Sequence, residues 1–152
     1  MNLRNLPTRL AVGAFVLHSG IEKWSGDEGT AQALHGMASG TYPVLKDLKP
    51  TTFLSALSAG EMAVGAALLA PVVSPTVAGA ALTGFSGGLM GLYWNTPGLR
   101  KPGTPWPTQD GLGVSKDVWM LGIGVGLLLD GLTRGAKKTA KSAAKKALPT
   151  SK

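Results

Sequence analysis

The chain has 152 residues, no cysteine and a formal net charge of +7, yet only 15% of its residues are charged. The length suits one domain rather than two. The lack of cysteine excludes disulfides, thiol redox chemistry and thiolate metal ligation by this chain, and the sparse charge argues against an ordinary solvated globule, where about 25% is usual.

In chain order, the first apolar run follows Arg4 and Arg9 and extends from Leu10 to Leu17. It resembles the start of a secretory signal, but it leads into His18, Glu22 and Lys23 with no small-residue cleavage pattern, so a retained helix over residues 6–24 is expected. A polar stretch, 25–50, follows, in which 31–37 could form a short interfacial helix. Residues 51–70 form a second apolar segment that carries one charge, Glu61. Pro71 and Pro75 end it and open the next, 74–94. That segment is uncharged over about 21 residues, enough to cross about 30 Å of hydrocarbon. Residues 95–110 are rich in Pro, Gly and Thr and should be irregular. A fourth segment is expected over 114–132. The fold class predicted is therefore all-α: an integral membrane four-helix transmembrane bundle over 1–133, followed by a basic Ala/Lys-rich tail over 134–152.

Arg4 and Arg9 precede the first helix, and Arg134, Lys137, Lys138, Lys141, Lys145 and Lys146 follow the fourth. Such an excess marks the cytoplasmic side, so both termini are expected in the cytoplasm of an inner-membrane, multi-pass protein. The tryptophans sit at the opposite end: Trp24, Trp94 and Trp119 at helix ends and Trp106 in the loop between the last two. Indole rings favour the interface. The tail lysines, directly following a membrane helix, are expected to bind anionic lipid rather than nucleic acid. For helix association, the small residues Ala80, Gly84, Gly87, Gly88 and Gly91 of the third segment and Gly122, Gly124 and Gly126 of the fourth are expected to be contact faces, the alternative being a loose helix that lines a cavity for an apolar ligand.

Ionisable groups inside a membrane are functional candidates. Glu61 lies near the middle of the second helix. His18 lies at a depth only about 6 Å different, so the two could meet as a proton-sharing pair or as a plain interhelical hydrogen bond. Neither is assigned as catalytic. Glu22 shares a face with His18 at i, i+4. Lys23 and Asp117 lie at the same end and could pair. Asp130, near the inner end, could meet the basic tail. His18, Glu22, Lys23, Glu61 and Asp117 are thus the ligand-binding candidates. Two histidines, at 18 and 35, are a weak basis for a metal site, and none is expected.

The run from Arg9 to Lys23 (RLAVGAFVLHSGIEK) resembles the opening helix of DoxX-like membrane proteins. Leu57–Glu61 (LSAGE) with the MAVGAALL that follows resembles their second helix, and Gly122–Gly131 their last. The resemblance covers residues 6–133 on short motifs; the 95–110 loop and the tail depart from it. It implies a four-helix membrane protein. Some members are similar to subunits associated with thiosulfate:quinone oxidoreduction, and others are linked to a membrane oxidoreductase assembly with superoxide dismutase and a sulfurtransferase. The function expected is therefore an accessory or anchoring subunit of a membrane redox assembly, supplying a hydrophobic site rather than catalysis. Its partners would be membrane lipids and a peripheral oxidoreductase, with self-association left open. One alternative is a quinone-reactive subunit using Glu61 and His18 for proton transfer, with quinone as cofactor. Another is a small-solute carrier.

Overall fold

The computed structural model describes residues 3–147. A 3-10 turn, Leu3–Asn5, leads into α1, Leu6–Trp24. Then come α2, Glu28–Thr41; α3, Pro50–Leu69; α4, Pro75–Asn95; a one-turn α5, Leu112–Ser115; and α6, Asp117–Ala147. Among the described residues there is no strand, only a single bridge between Arg100 and Pro107. The molecule is all-helical, as expected.

Local chemistry sets the helix ends. Pro50 and Pro75 occupy first-turn positions, where the missing N–H is an orphan anyway. Ser74 caps α4 by accepting from the Val77 amide at 3.2 Å, and Asp27 caps α2 by accepting from the Thr30 amide at 2.8 Å. The expected 31–37 helix is thus the middle of a longer one. At the other end of the chain, α6 does not stop near residue 132. It runs for 31 residues, about 46 Å at 1.5 Å per residue, because the Ala and Lys of the tail are strong helix formers and no Gly-Pro signal interrupts them.

The helices associate as two tight pairs, α1 on α3 and α4 on α6, joined through the α3–α4 turn, with α2 laid across α3. Leu68, Ala78, Leu82 and Leu127 form the buried centre where α3, α4 and α6 meet. In each pair the backbones approach too closely for a side chain at the crossing. A Cβ on Gly65 would stand 2.5 Å from the Leu17 nitrogen and 2.7 Å from its Cα. In the second pair, Gly79 and Gly131 abut the backbones of Leu128 and Thr76, and a Cβ on Gly124 would stand 2.8 Å from the Thr83 nitrogen. These glycines let the two backbones of each pair come into direct contact.

This corrects the expected contact faces. Gly84, Gly87, Gly88, Gly122 and Gly126 meet nothing within 4 Å, Ala80 is exposed, and Gly91 serves to seat the Tyr42 ring of the α2 end rather than a neighbouring long helix. Only Gly124 of the named residues lies at a crossing of long helices. Spacing alone does not say which side of an evenly small-residued helix turns inward.

Large apolar side chains face outward along the helices, among them Leu10, Phe15, Ile21, Val77, Val125, Leu129 and Leu132. By length and composition two helical segments could cross a membrane, Pro50–Leu69 and Leu112–Ala143. α4 has the length and no charge, but its glycines, threonines and serine dilute its hydropathy. α1 carries Arg9, Glu22 and Lys23. The 95–110 segment is irregular yet tied down. Tyr93 donates to the Pro105 carbonyl at 2.7 Å and Thr108 to that of Gly98 at 2.6 Å, and Gly98 turns the chain at φ 87°.

Candidate functional site

The α1/α3 pair sets the geometry. Ser58 Oγ donates to the Gly20 carbonyl at 2.6 Å, in the buried seam between them. One turn further along each helix stand Lys23 and Glu61. Helical side chains lean toward their own N-terminus, so in an antiparallel pair these two lean toward each other. Lys23 Nζ lies 3.0 Å from Glu61 Oε2 and donates to Ser19 Oγ at 2.6 Å. Glu61 is buried, its side chain 6% exposed against 24% for Lys23. Burying a lone carboxylate is expensive, and the ammonium and its hydroxyl partner offset that cost.

His18 does not meet Glu61. Its side chain is 71% exposed and its Nε2 lies 3.4 Å from the Glu22 carboxylate, which is itself 70% exposed. Similar depth does not bring two side chains together when they point to different sides of a helix. Five residues separate His18 from Lys23, which places them about 140° apart around α1; with Lys23 turned to α3, His18 must face outward. The i, i+4 relation of His18 to Glu22 is present, and its role is a surface contact. His35 meets no acid among the described residues: its Nε2 lies 2.9 Å from the Leu45 carbonyl and its ring packs edge-on against Phe53.

Lys23 and Glu61 line a cavity of about 320 Å³. Its walls are mostly apolar: Val16 from α1, Phe53 and Leu57 from α3, Phe85 and Leu89 from α4, and Met120 from α6, with Leu34, Met37 and Ala38 of α2 along one side. Tyr42 Oη donates to the Gly88 carbonyl at 2.8 Å and so ties the end of α2 to α4. Asp117, at the start of α6, lines the same cavity. It makes no ion pair with Lys23 and accepts no hydrogen bond among the described residues, but it is near enough to Glu61 and Lys23 to feel both charges. Thus Lys23, Glu61 and Asp117 are brought together, and His18 and Glu22 are not.

A larger groove, about 600 Å³, runs under the 96–111 loop beside Tyr93, Trp94, Trp106 and Trp119. It holds no carboxylate. All four indoles are exposed, and Arg100 stacks 4.3 Å from the Trp94 ring centre. This is an aromatic surface rather than an enclosed site.

Arg9, expected as a charge flanking the first helix, is instead part of the interior. Arg9 is 1% exposed. Its Nε donates to the Leu68 carbonyl at 2.7 Å, Nη1 to Val73 at 3.0 Å, and Nη2 to Ala67 and Ala70, each at 2.9 Å. The Ala67 and Leu68 carbonyls are among those that α3 leaves unpaired at its C-terminus, that of Ala70 also accepts from the Val73 amide at 3.2 Å, and the group lies at the negative end of the helix dipole. The signal was present: Arg9 falls in line with the other buried residues of α1, Gly13, Val16 and Gly20.

At the same end, Asp130 receives Asn5 Nδ2 at 2.7 Å and pairs with Arg134 at 3.0 Å, the first basic residue of the tail. Lys137, Lys138, Lys141 and Lys145 are exposed along α6, and the Lys146 side chain lies outside the described residues. No group of three acidic or histidine side chains placed to hold a metal occurs among the described residues.

Compared with family models, with curated proteins and with solved structures, the chain matches none.

Proposed function

We propose that the chain is a multi-pass membrane protein whose four long helices cross the bilayer with both termini in the cytoplasm, and that it holds a lipophilic small molecule in the cavity beside Lys23, Glu61 and Asp117. The observation that carries this reading is that cavity: apolar walls of a size typical for small ligands, with a buried ion pair and a further carboxylate at one place in its lining. Outward-facing apolar side chains, the exposed indoles at one end and the basic run that starts at Arg134 at the other support the membrane setting.

In this reading the protein supplies a binding site and a surface, not catalysis. Association with a membrane redox assembly is the part that the DoxX-like residues suggest, and co-purification of an oxidoreductase in mild detergent tests it. If quinone is the ligand, Lys23 and Asp117 are the groups able to exchange hydrogen bonds with it, in place of His18. The tail's lipid contact is also narrower than its lysine count suggests. Lys145 lies about 16 Å along the helix from Arg134, beyond a Debye length of about 8 Å at physiological salt. With α6 upright, Arg134, Lys137 and Lys138 are the residues near the headgroups.

The cavity is tested by native mass spectrometry of protein extracted from its own membranes. A retained lipophilic molecule is expected, and Gly113→Trp should expel it. Gly113 lines the cavity, and a Cβ there meets nothing within 4 Å, so an indole can be placed at the cavity's edge without overpacking the helices. A protein that never carries such a molecule, or carries it equally well in this variant, removes the reading.

A further inference from the structure

Granted that the cavity is a ligand site, its charge balance selects the ligand. The charged residues lining it are Lys23, Glu61 and Asp117. Two carboxylates face one ammonium. Lys23 is committed to Glu61 at 3.0 Å and to Ser19 at 2.6 Å, which neutralises Glu61 and uses two of the three ammonium hydrogens. Asp117 is left with no ion-pair or hydrogen-bond partner among the described residues. With both acids ionised, the site is one positive charge short.

The walls point the same way. The chain has three phenylalanines, Phe15, Phe53 and Phe85, and all three line this cavity. Phe15, 66% exposed, stands at its mouth, and the other two are half-buried. The face of an aromatic ring attracts a cation through its quadrupole, most effectively where water is excluded, and quaternary ammonium groups are the cations commonly held this way. An anionic amphiphile would meet the unneutralised carboxylate and gain little from the rings. A neutral carbonyl compound would find one free ammonium hydrogen and no other positive donor.

We propose that the cavity binds an organic monocation with an apolar body, a quaternary or tertiary ammonium, with its charge set against Asp117 and its carbon skeleton among Phe15, Phe53 and Phe85. A volume of about 320 Å³ suits a compact molecule rather than a long-chain lipid.

The test uses the full chain in nanodiscs and two probes of the same shape, benzyltrimethylammonium and its uncharged carbon analogue, neopentylbenzene, with oleate as an anionic probe. The cation should bind saturably and at least tenfold more tightly than the neutral analogue, and oleate should not displace it. Asp117→Asn should lower cation affinity at least tenfold while leaving neopentylbenzene affinity within twofold. Asp117→Glu should restore most of the loss, and Phe85→Leu should lower cation affinity several-fold. Should Asp117→Asn fail to fold, the comparison of the two isosteric probes on the unaltered protein decides alone. Equal affinity for charged and uncharged probes overturns the proposal, as does cation binding untouched by Asp117→Asn. If the neutral probe or oleate binds and Gly113→Trp expels it while the cation does not bind, the cation assignment fails and the cavity reading survives. If no probe binds in a manner sensitive to Gly113→Trp, both fail.

Discussion

Replacing Arg9 by Gln should unfold the protein more easily than any loss of a surface charge could. The guanidinium satisfies four carbonyls at once. The Leu68 carbonyl belongs to a fully buried residue, and leaving it unpaired costs about 1–3 kcal/mol. Ala67, Ala70 and Val73 are half-buried, so water replaces part of what is lost there, at about 0.5–1 kcal/mol each. Removing a cation from the C-terminal end of α3 adds about 0.5–2 kcal/mol. Against this, the variant regains roughly 2 kcal/mol of side-chain entropy that fixing an arginine consumes. The balance is a loss of about 3 kcal/mol. Arg9→Lys should recover the dipole contribution but not the fork of bonds, and should fall between the two. The measurement is unfolding in mixed micelles of rising SDS fraction, followed by far-UV circular dichroism, with Lys141→Gln as an exposed control that shifts by less than about 0.5 kcal/mol. If Arg9→Gln matches that control, the capping role assigned to Arg9 is wrong.

Other substitutions separate the remaining contacts. Gly65→Ala should destabilise by about 1–3 kcal/mol because its methyl meets the Leu17 backbone, whereas Gly84→Ala, whose Cβ meets open space, should cost nothing measurable in the same assay. Lys23→Met leaves Glu61 buried without its partner and should cost about 3–5 kcal/mol, with most of it regained in Lys23→Met/Glu61→Leu; a double variant no better than the single one would contradict the pairing. Accepting the Thr30 amide holds the Asp27 carboxyl below its ordinary value of 3.8. Because the folded value is the lower one, the cap's stabilisation is present above 3.8 and lost as pH falls through the lowered value. Exchange protection of the Thr30 amide, corrected for intrinsic rate, should therefore decline in that acid range, and Asp27→Asn should keep the cap without the decline.

The helix starts were legible because their chemistry is local. Proline at 50 and 75, Ser74 before the second of these, and the apolar lengths fix α1, α3 and α4 to within a residue or two of the segments read from sequence. Glu61 was legible as a buried group because it is the one charge in its segment. Its partner was not, since depth is additive along a helix while the facing direction depends on how the pair is rotated. His18 and Lys23 differ little in depth and greatly in direction. The same ambiguity hid the crossing glycines. In α4, small residues occur on every side, and only the Gly79 side closes on α6. Arg9 was hidden by its identity, since arginine before an apolar run ordinarily reads as an interfacial flank, and only the alignment with Gly13, Val16 and Gly20 marks it as buried. The continuation of α6 through residue 147 was written in the helix propensity of Ala and Lys, but the shift from apolar to basic composition read as a boundary.

The membrane path can be measured against a silent background, because the chain contains no cysteine. Single cysteines at Gly40→Cys and Pro102→Cys, and at Val72→Cys and Ser142→Cys, all exposed positions, would be treated in intact cells with an impermeant maleimide. Four crossings with cytoplasmic termini predict that the first two react at once and that the last two react only after the membrane is opened. Labelling of position 72 in sealed cells, with position 40 protected, would contradict the topology on which the cavity's membrane setting depends.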